Sequence, residues 1–376
     1  MSGPVASELC ISADSHITEP PGTYIDRIDP KYRDRAPRLQ HDENFGDVMV
    51  IDGGQSVVPF YLIAAAGVPD GTLRMDGGRR FEDLHKGGWD PVARLSDQDL
   101  DGISAEVIYP SVGMLLCNHP DFDYKQACFD AYNLWIAEFC ETSPDRLIGL
   151  GQTALRTVED GIKDLEKIKD LGLKGVMLPG VPALEDFDSE IYTPFWEAAM
   201  DLELPLSFHI LTMGGSGNLM DIQVRGPKLN SFIAVIRGCQ DIIGTLILGG
   251  VFERHPDLKM VCVEADAGWA PHYMYRMDHA VKRHGSWMGD DVVLSKKPSE
   301  YFKENIYITF QDDWVAFKMI DMMNPERLCW ANDFPHSDAT WPNSQAILAE
   351  HTKDLTEHQK DRILRRNTAE LYGLNL

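Results

Sequence analysis

The 376-residue sequence predicts an α/β fold: a (β/α)8 (TIM) barrel with an insert after its first strand. Short apolar runs alternate with stretches of helical period along most of the chain, and counting them gives eight strands. The runs are mostly apolar on both faces, as in parallel strands covered by helices. A doubly wound open sheet is the alternative. No GxGxxG follows the first strand and no Walker-type loop is present, so nucleotide-binding folds lose ground.

Strand one is Leu9–Ala13, running into Asp14-Ser15-His16 before Pro20-Pro21-Gly22 stops it. Residues 20–90 are rich in Pro, Gly, Asp and Arg, with pieces such as Val48–Ile51 and Val57–Tyr61 suited to a hairpin. This region is expected to form a lid or a subunit contact within one domain spanning 1–376. The regular pattern starts near residue 91. A helix from Val92 to Asp101 ends at Gly102, and Ala105–Pro110 is strand two. Helix 122–142 precedes strand three, Leu147–Leu150. Helix 157–171 precedes strand four, Gly175–Pro179, and helix 190–202 precedes strand five, Leu204–His209. Helix 229–254 leads to strand six, Leu258–Glu264, and helix 268–283 to strand seven, Asn305–Phe310. Strand eight is Arg327–Asp333, and a helix pair closes the chain from 343 to 373.

A net charge of −24, from 59 acidic and 35 basic residues, argues against nucleic acid and anionic membrane as partners. No uninterrupted apolar run reaches membrane-spanning length, and the first residues lack the pattern of a signal peptide. The seven cysteines are scattered, without a CxxC pair, as in a reduced cytoplasmic protein.

Barrels of this kind carry their chemistry at the C-terminal strand ends. Asp14 and His16 stand two apart on strand one and so share a face. Strand five ends in His209, strand six in Glu264 with Asp266 after it, and strand eight in Asp333, three residues before His336. Two imidazoles and two carboxylates at one mouth suit a divalent metal, Zn²⁺ or Mn²⁺, with Asp14, His16, His209 and Asp333 as ligands. Each residue also has a bland explanation: a core histidine, a turn-forming Asp333, a helix-capping Glu264. His272, His279 and His336 are secondary candidates for orienting a ligand or substrate. Trp89, Trp269, Trp341, Phe334 and Tyr109 are candidates to line a pocket for an aromatic or alicyclic acid. The glycines after Met213 suggest a mobile loop at the mouth.

Several stretches in family order carry a resemblance. They are Asp14-Ser15-His16 with Glu19-Pro20, Trp89-Asp90-Pro91-Val92-Ala93-Arg94, Phe208-His209, Gly250–Lys259, Tyr275–His279, Asn332–His336 and Arg366–Tyr372. Together they resemble the amidohydrolase superfamily, in the branch of aminocarboxymuconate-semialdehyde and γ-resorcylate decarboxylases. The resemblance implies the same four metal ligands, a homodimer or higher homo-oligomer, and Arg94 gripping a substrate carboxylate; Trp89 and His336 are further candidates at the substrate from their positions. It implies catalytic roles for His209, Asp333 and Glu264. Decarboxylating relatives usually carry His where this chain has Glu264, which leaves Glu264 as proton donor or metal ligand. The expected activity is non-oxidative decarboxylation of a small aromatic or enol-type acid. The alternative is metal-dependent hydrolysis of an amide, ester, lactone or activated C–C bond.

Overall fold

The computed structural model describes residues 10–54, 56–69, 71–74, 79–213, 226–288 and 293–375. The expected glycine-rich loop at 214–217 lies outside them. Eight parallel strands form a ring: β1 Cys10–His16, β2 Ile103–Tyr109, β3 Leu147–Gln152, β4 Val176–Met177, β5 Leu206–His209, β6 Met260–Val263, β7 Ile306–Phe310 and β8 Leu328–Trp330. β3 is interrupted at Leu150. Its first half pairs with β2 (Val107 opposite Ile148) and its second with β4 (Gly151 opposite Val176). The Leu150 amide donates to the Ile108 carbonyl and Lys174 donates to Gly149, so the turn of the ring is continuous there.

Closure lies between β8 and β1. The Asn332 amide donates to Ser12 Oγ at 2.9 Å, Asp333 donates to the Asp14 carbonyl at 3.2 Å, and His16 donates to the Phe334 carbonyl at 2.7 Å. No sheet edge is left at this seam, which excludes the open-sheet alternative. The same bonds bring Asp14, His16 and Asp333 to one end of the ring.

The expected helices follow from local chemistry. Asp90 caps Pro91–Asp101 by accepting from the Val92 and Ala93 amides, and Gly102 ends it in the left-handed region at φ 71°. Asp121 caps Phe122–Cys140, and Thr157 caps Val158–Asp170. The expected helix 229–254 is three pieces, Asn230–Ala234, Ile236–Leu248 and Val251–Arg254. Asn230–Leu248 is long and apolar enough by composition to cross a membrane. Its Cys239, Ile242, Ile243, Leu246 and Ile247 are buried. Helix Pro298–Asn305 escaped the periodicity analysis because it is only two turns long. It starts at a proline in the first turn and buries Tyr301 and Phe302.

The insert after β1 contains an antiparallel three-stranded sheet, Arg38–Asp42, Gly46–Ile51 and Ser56–Pro59. Its Met49, Val58 and Phe60 belong to the same hydrophobic core as the barrel strands.

Arg94 is fully buried and braces the closure. Its Nε donates to Glu106 Oε2 at 2.5 Å. One terminal nitrogen donates to the His16 carbonyl at 2.5 Å and the other to the Phe334 carbonyl at 3.3 Å, with the guanidinium over the Phe334 ring. The expectation that Arg94 grips a substrate carboxylate is therefore not met: its donors are spent on β1, β2 and the segment after β8. Arg94→Met should leave Glu106 buried without its cation and cost about 3–5 kcal/mol in urea unfolding. Unchanged stability in that variant would show that the brace is dispensable.

Candidate metal centre

The groups that converge at this end of the ring are imidazoles and carboxylates. His16 Nδ1 lies 3.1 Å from the Pro110 carbonyl, and His209 Nδ1 lies 3.2 Å from the Ile210 carbonyl. A carbonyl only accepts, so both Nδ1 atoms carry the proton. Burial, with His336 and His209 nearby, pushes the His16 pKa well below its usual value, so its Nε2 presents a lone pair. The two Nε2 atoms nevertheless face each other at 3.2 Å.

Carboxylates crowd the same point. Glu264 Oε2 is 3.3 Å from His16 Nε2 and 3.2 Å from His209 Nε2. Asp14 Oδ1 lies 3.4 and 3.7 Å from the same two atoms, and Asp333 Oδ1 lies 3.5 Å from His16 Nε2. Both oxygens of Asp14 and of Asp333, and Oε2 of Glu264, are buried with no hydrogen bond. Burial raises the pKa of all three, with mutual repulsion adding to Glu264 and Asp333.

Lone pairs and carboxylate oxygens packed this closely, without a donor, repel unless a cation lies among them. The donor set fits a divalent ion of the Zn²⁺ or Mn²⁺ type. Asp14, His16, His209 and Glu264 make one quartet with ligand atoms within 4.8 Å of one another, and His16, Glu264, Asp333 and His336 make another. The carbonyls that fix the histidine tautomers are the usual outer support of such a site.

The strand ends hold these groups in unusual backbone. Glu264, Asp266 and Asp333 have φ of 56°, 54° and 53°, in the left-handed region that side chains other than glycine seldom adopt. Such strain collects where function over-determines the conformation.

His336 stacks on His16 with ring centroids 3.8 Å apart. Its Nδ1 is 3.1 Å from Asp333 Oδ1 and its Nε2 is 2.9 Å from Ser111 Oγ. The Ser111 hydroxyl gives its only proton to the Ile17 carbonyl at 2.6 Å, so His336 Nε2 must donate to Ser111. His336 Nδ1 and Asp333 Oδ1 then face each other as two acceptors unless one of them is protonated. Sequence reasoning missed Ser111 and gave no role to Glu19 of the first motif, whose Oε1 accepts from the Ser111, Val112 and Gly113 amides and so positions the turn. Burial raises the Glu19 pKa to about 7. The signal for these two is spatial, since they stand 92 residues apart.

A cavity of about 330 Å³ opens above the cluster and meets Glu264, Asp333 and His336. Val58, Tyr61, Ile63, Met114, Ile210 and Phe232 are among its wall residues. The aromatic candidates from the sequence do not line it. Trp89 packs on Phe81, Trp341 and Phe334 pack together, Tyr109 sits beneath the histidines, and Trp269 donates to the Ala265 carbonyl. His272 and His279 lie beside Tyr275 on helix Ala270–Met288, apart from the cluster.

Residues 121–374 match the amidohydrolase family model. The chain belongs to the amidohydrolase family. It is 26% identical over 312 residues to the 2-amino-3-carboxymuconate-6-semialdehyde decarboxylase of Dictyostelium discoideum, covering 80% of this chain and 81% of that one. Solved structures show the same fold. An amidohydrolase from Mycobacterium avium subsp. paratuberculosis superposes with a TM-score of 0.78 at 20% identity, covering 98% of this chain and 100% of that one. The manganese-bound 5-carboxyvanillate decarboxylase of Novosphingobium aromaticivorans gives 0.70 at 19% identity, covering 99% of both chains. The 2,6-dihydroxybenzoate decarboxylase of Rhizobium gives 0.63 at 17%, covering 98% and 99%.

Manganese at 100 times its Kd should stabilise this amidohydrolase by about 2.7 kcal/mol in thermal unfolding. Glu264→Gln and His209→Ala should weaken metal binding at least as much as the roughly 10–100-fold typical of outer-shell changes. Wild-type protein that neither binds nor is stabilised by Mn²⁺ or Zn²⁺ would refute a metal centre here.

Proposed function

We propose that this amidohydrolase is a metal-dependent carboxy-lyase that removes CO₂ from a small aromatic or enol-type carboxylic acid. The observation that carries the reading is the 3.1 Å approach of His336 Nδ1 to Asp333 Oδ1 at the cavity floor, against the acceptor cluster. Loss of CO₂ leaves a carbon that must be protonated, and a proton shared by this pair would supply it. The decarboxylases among its relatives support the same reading.

Asp14, His16, His209 and Glu264 would hold the cation, with Asp333 alongside. When bound, a divalent ion would supply Lewis acidity to the substrate carboxylate and a neighbouring oxygen. The Asp333–His336 pair delivers its proton to the carbon bearing the carboxylate. The C–CO₂ bond then breaks, its electron pair returns to the substrate, and solvent restores the proton. The apolar wall keeps water from the reacting carboxylate, which favours departure of neutral CO₂. Ser111 keeps His336 in the tautomer whose Nδ1 faces Asp333.

In this assignment Glu264 is a metal holder, because it lies between both imidazoles, and Asp333 is the acid. The reading includes a small-molecule substrate, no nucleic-acid partner, and a cytoplasmic homodimer. The acidic charge supports the absence of a nucleic-acid partner, and seven buried cysteines with no disulfide among them support a reducing compartment.

Metal-loaded protein given hydroxybenzoates and enol-type acids should release CO₂ and leave the decarboxylated product, and Asp333→Asn should abolish this while keeping its metal. Products gaining water from lactones or amides, without CO₂ from any acid, would replace the reading with hydrolysis. Ser111→Ala should lower turnover about 10–100-fold at unchanged metal content, with Ser111→Thr restoring most of it. Full turnover in Ser111→Ala would remove the hydroxyl from the proton path.

A further inference from the structure

Strand alternation alone would not bring Glu264 to the metal centre. Val263 is the register partner of His209, whose imidazole points into the ring. Register partners share a face and neighbours along a strand alternate, so Glu264 would follow Cys262 to the other side. Cys262 faces Cys239 on helix Ile236–Leu248, outside the ring. Glu264 instead places Oε2 3.3 and 3.2 Å from the two inward imidazoles. Its backbone redirects it, turning left-handed at φ 56°.

A residue other than glycine keeps that conformation only where its surroundings fix it. Here the fixing contact is made at the turning residue itself. The Glu264 amide donates to Thr309 Oγ1 at 2.9 Å. Thr309 stands on β7 and is fully buried. The last register pair between β6 and β7 is Cys262 with Ile308, so the hydroxyl takes the amide where the strand ladder has ended. Branching at Cβ restricts the threonine rotamer and keeps that oxygen in place. The rest of the turn is anchored elsewhere. The Ala267 and Gly268 amides donate to Asp313, and Trp269 Nε1 donates to the Ala265 carbonyl. Removing the Thr309 hydroxyl therefore frees Glu264 and leaves the turn attached.

We propose that Thr309 is a positioning residue for the metal centre: its hydroxyl locks the left-handed turn that swings Glu264 from the helix-facing side of β6 into the ring. The inference rests on Glu264 as a metal holder and is independent of the reaction.

Mn²⁺ is titrated calorimetrically into metal-free wild type, Thr309→Val, Thr309→Ser, Glu264→Gln and the double variant Thr309→Val with Glu264→Gln. Thr309→Val, close in shape but without the acceptor, should weaken binding about 10–100-fold. Thr309→Ser should restore it to within several-fold of wild type. In the Glu264→Gln background Thr309→Val should cost less than about threefold, because residues that act through one another do not add. The electron paramagnetic resonance spectrum of bound Mn²⁺ should change in Thr309→Val and return in Thr309→Ser. Thr309→Ala is measured alongside, so that a valine variant that fails to fold still leaves a test. Wild-type affinity in Thr309→Val or Thr309→Ala overturns the inference. So does an undiminished loss in the Glu264→Gln background, which would mean that the hydroxyl acts through another group. CO₂ release is followed separately. The expected affinities without CO₂ release sink the carboxy-lyase reading alone, whereas CO₂ release with full Mn²⁺ affinity in Thr309→Val sinks this inference alone.

Discussion

Arg94 and Glu106 form the ion pair on which the site depends. The pair is fully buried, and it sits where the ring closes. Taking two charges out of water is expensive, and a lone pair of this kind seldom stabilises a fold on its own account. Here the remaining donors of the guanidinium satisfy the His16 and Phe334 carbonyls, while Glu106 also accepts from Gln98 and Asn332. The network ties three strands of distant sequence origin to one point. It braces the seam whose own bonds bring Asp14, His16 and Asp333 together.

Once they are so placed, electrostatics shapes everything nearby. The carbonyls of Pro110 and Ile210 orient the two imidazoles so that their lone pairs converge. Three carboxylates join them out of water. Such a centre stores repulsion until a cation arrives, so ion binding and local stability are linked. The neighbouring Asp333–His336–Ser111 chain obeys different rules, because the serine hydroxyl has one proton and the Ile17 carbonyl takes it. Metal holding and proton holding are thus separated by little more than the width of an imidazole ring.

Much of this was legible in the sequence, and the reason is local. All eight strands lie where the apolar runs place them, because parallel strands need side chains apolar on both faces. The DSH at β1, His209, Glu264 and Asp333 stand at strand ends, where a barrel gathers its polar groups. Arg94 was misread because a guanidinium is defined by its partners, and these lie 12, 78 and 240 residues away. The pocket aromatics were misread for a similar reason: whether a tryptophan faces a cavity or a neighbouring ring depends on packing that periodicity does not record. Tyr61 and Phe232 line the cavity from an irregular insert and a short helix, where pattern carries little information.

The sequence alone determined the α/β alternation and set the candidate ligands at the ends of strands one, five, six and eight, since periodicity and residue chemistry are properties of short stretches. Tertiary structure decided the rest. Ring closure set which oxygen faces which nitrogen. Fixed tautomers turned two histidines into converging acceptors and placed Glu264 between them. Ser111 was brought to His336 across 225 residues. Each of these depends on distances of a few ångströms between segments far apart in the chain, and such distances exist only after the barrel has closed.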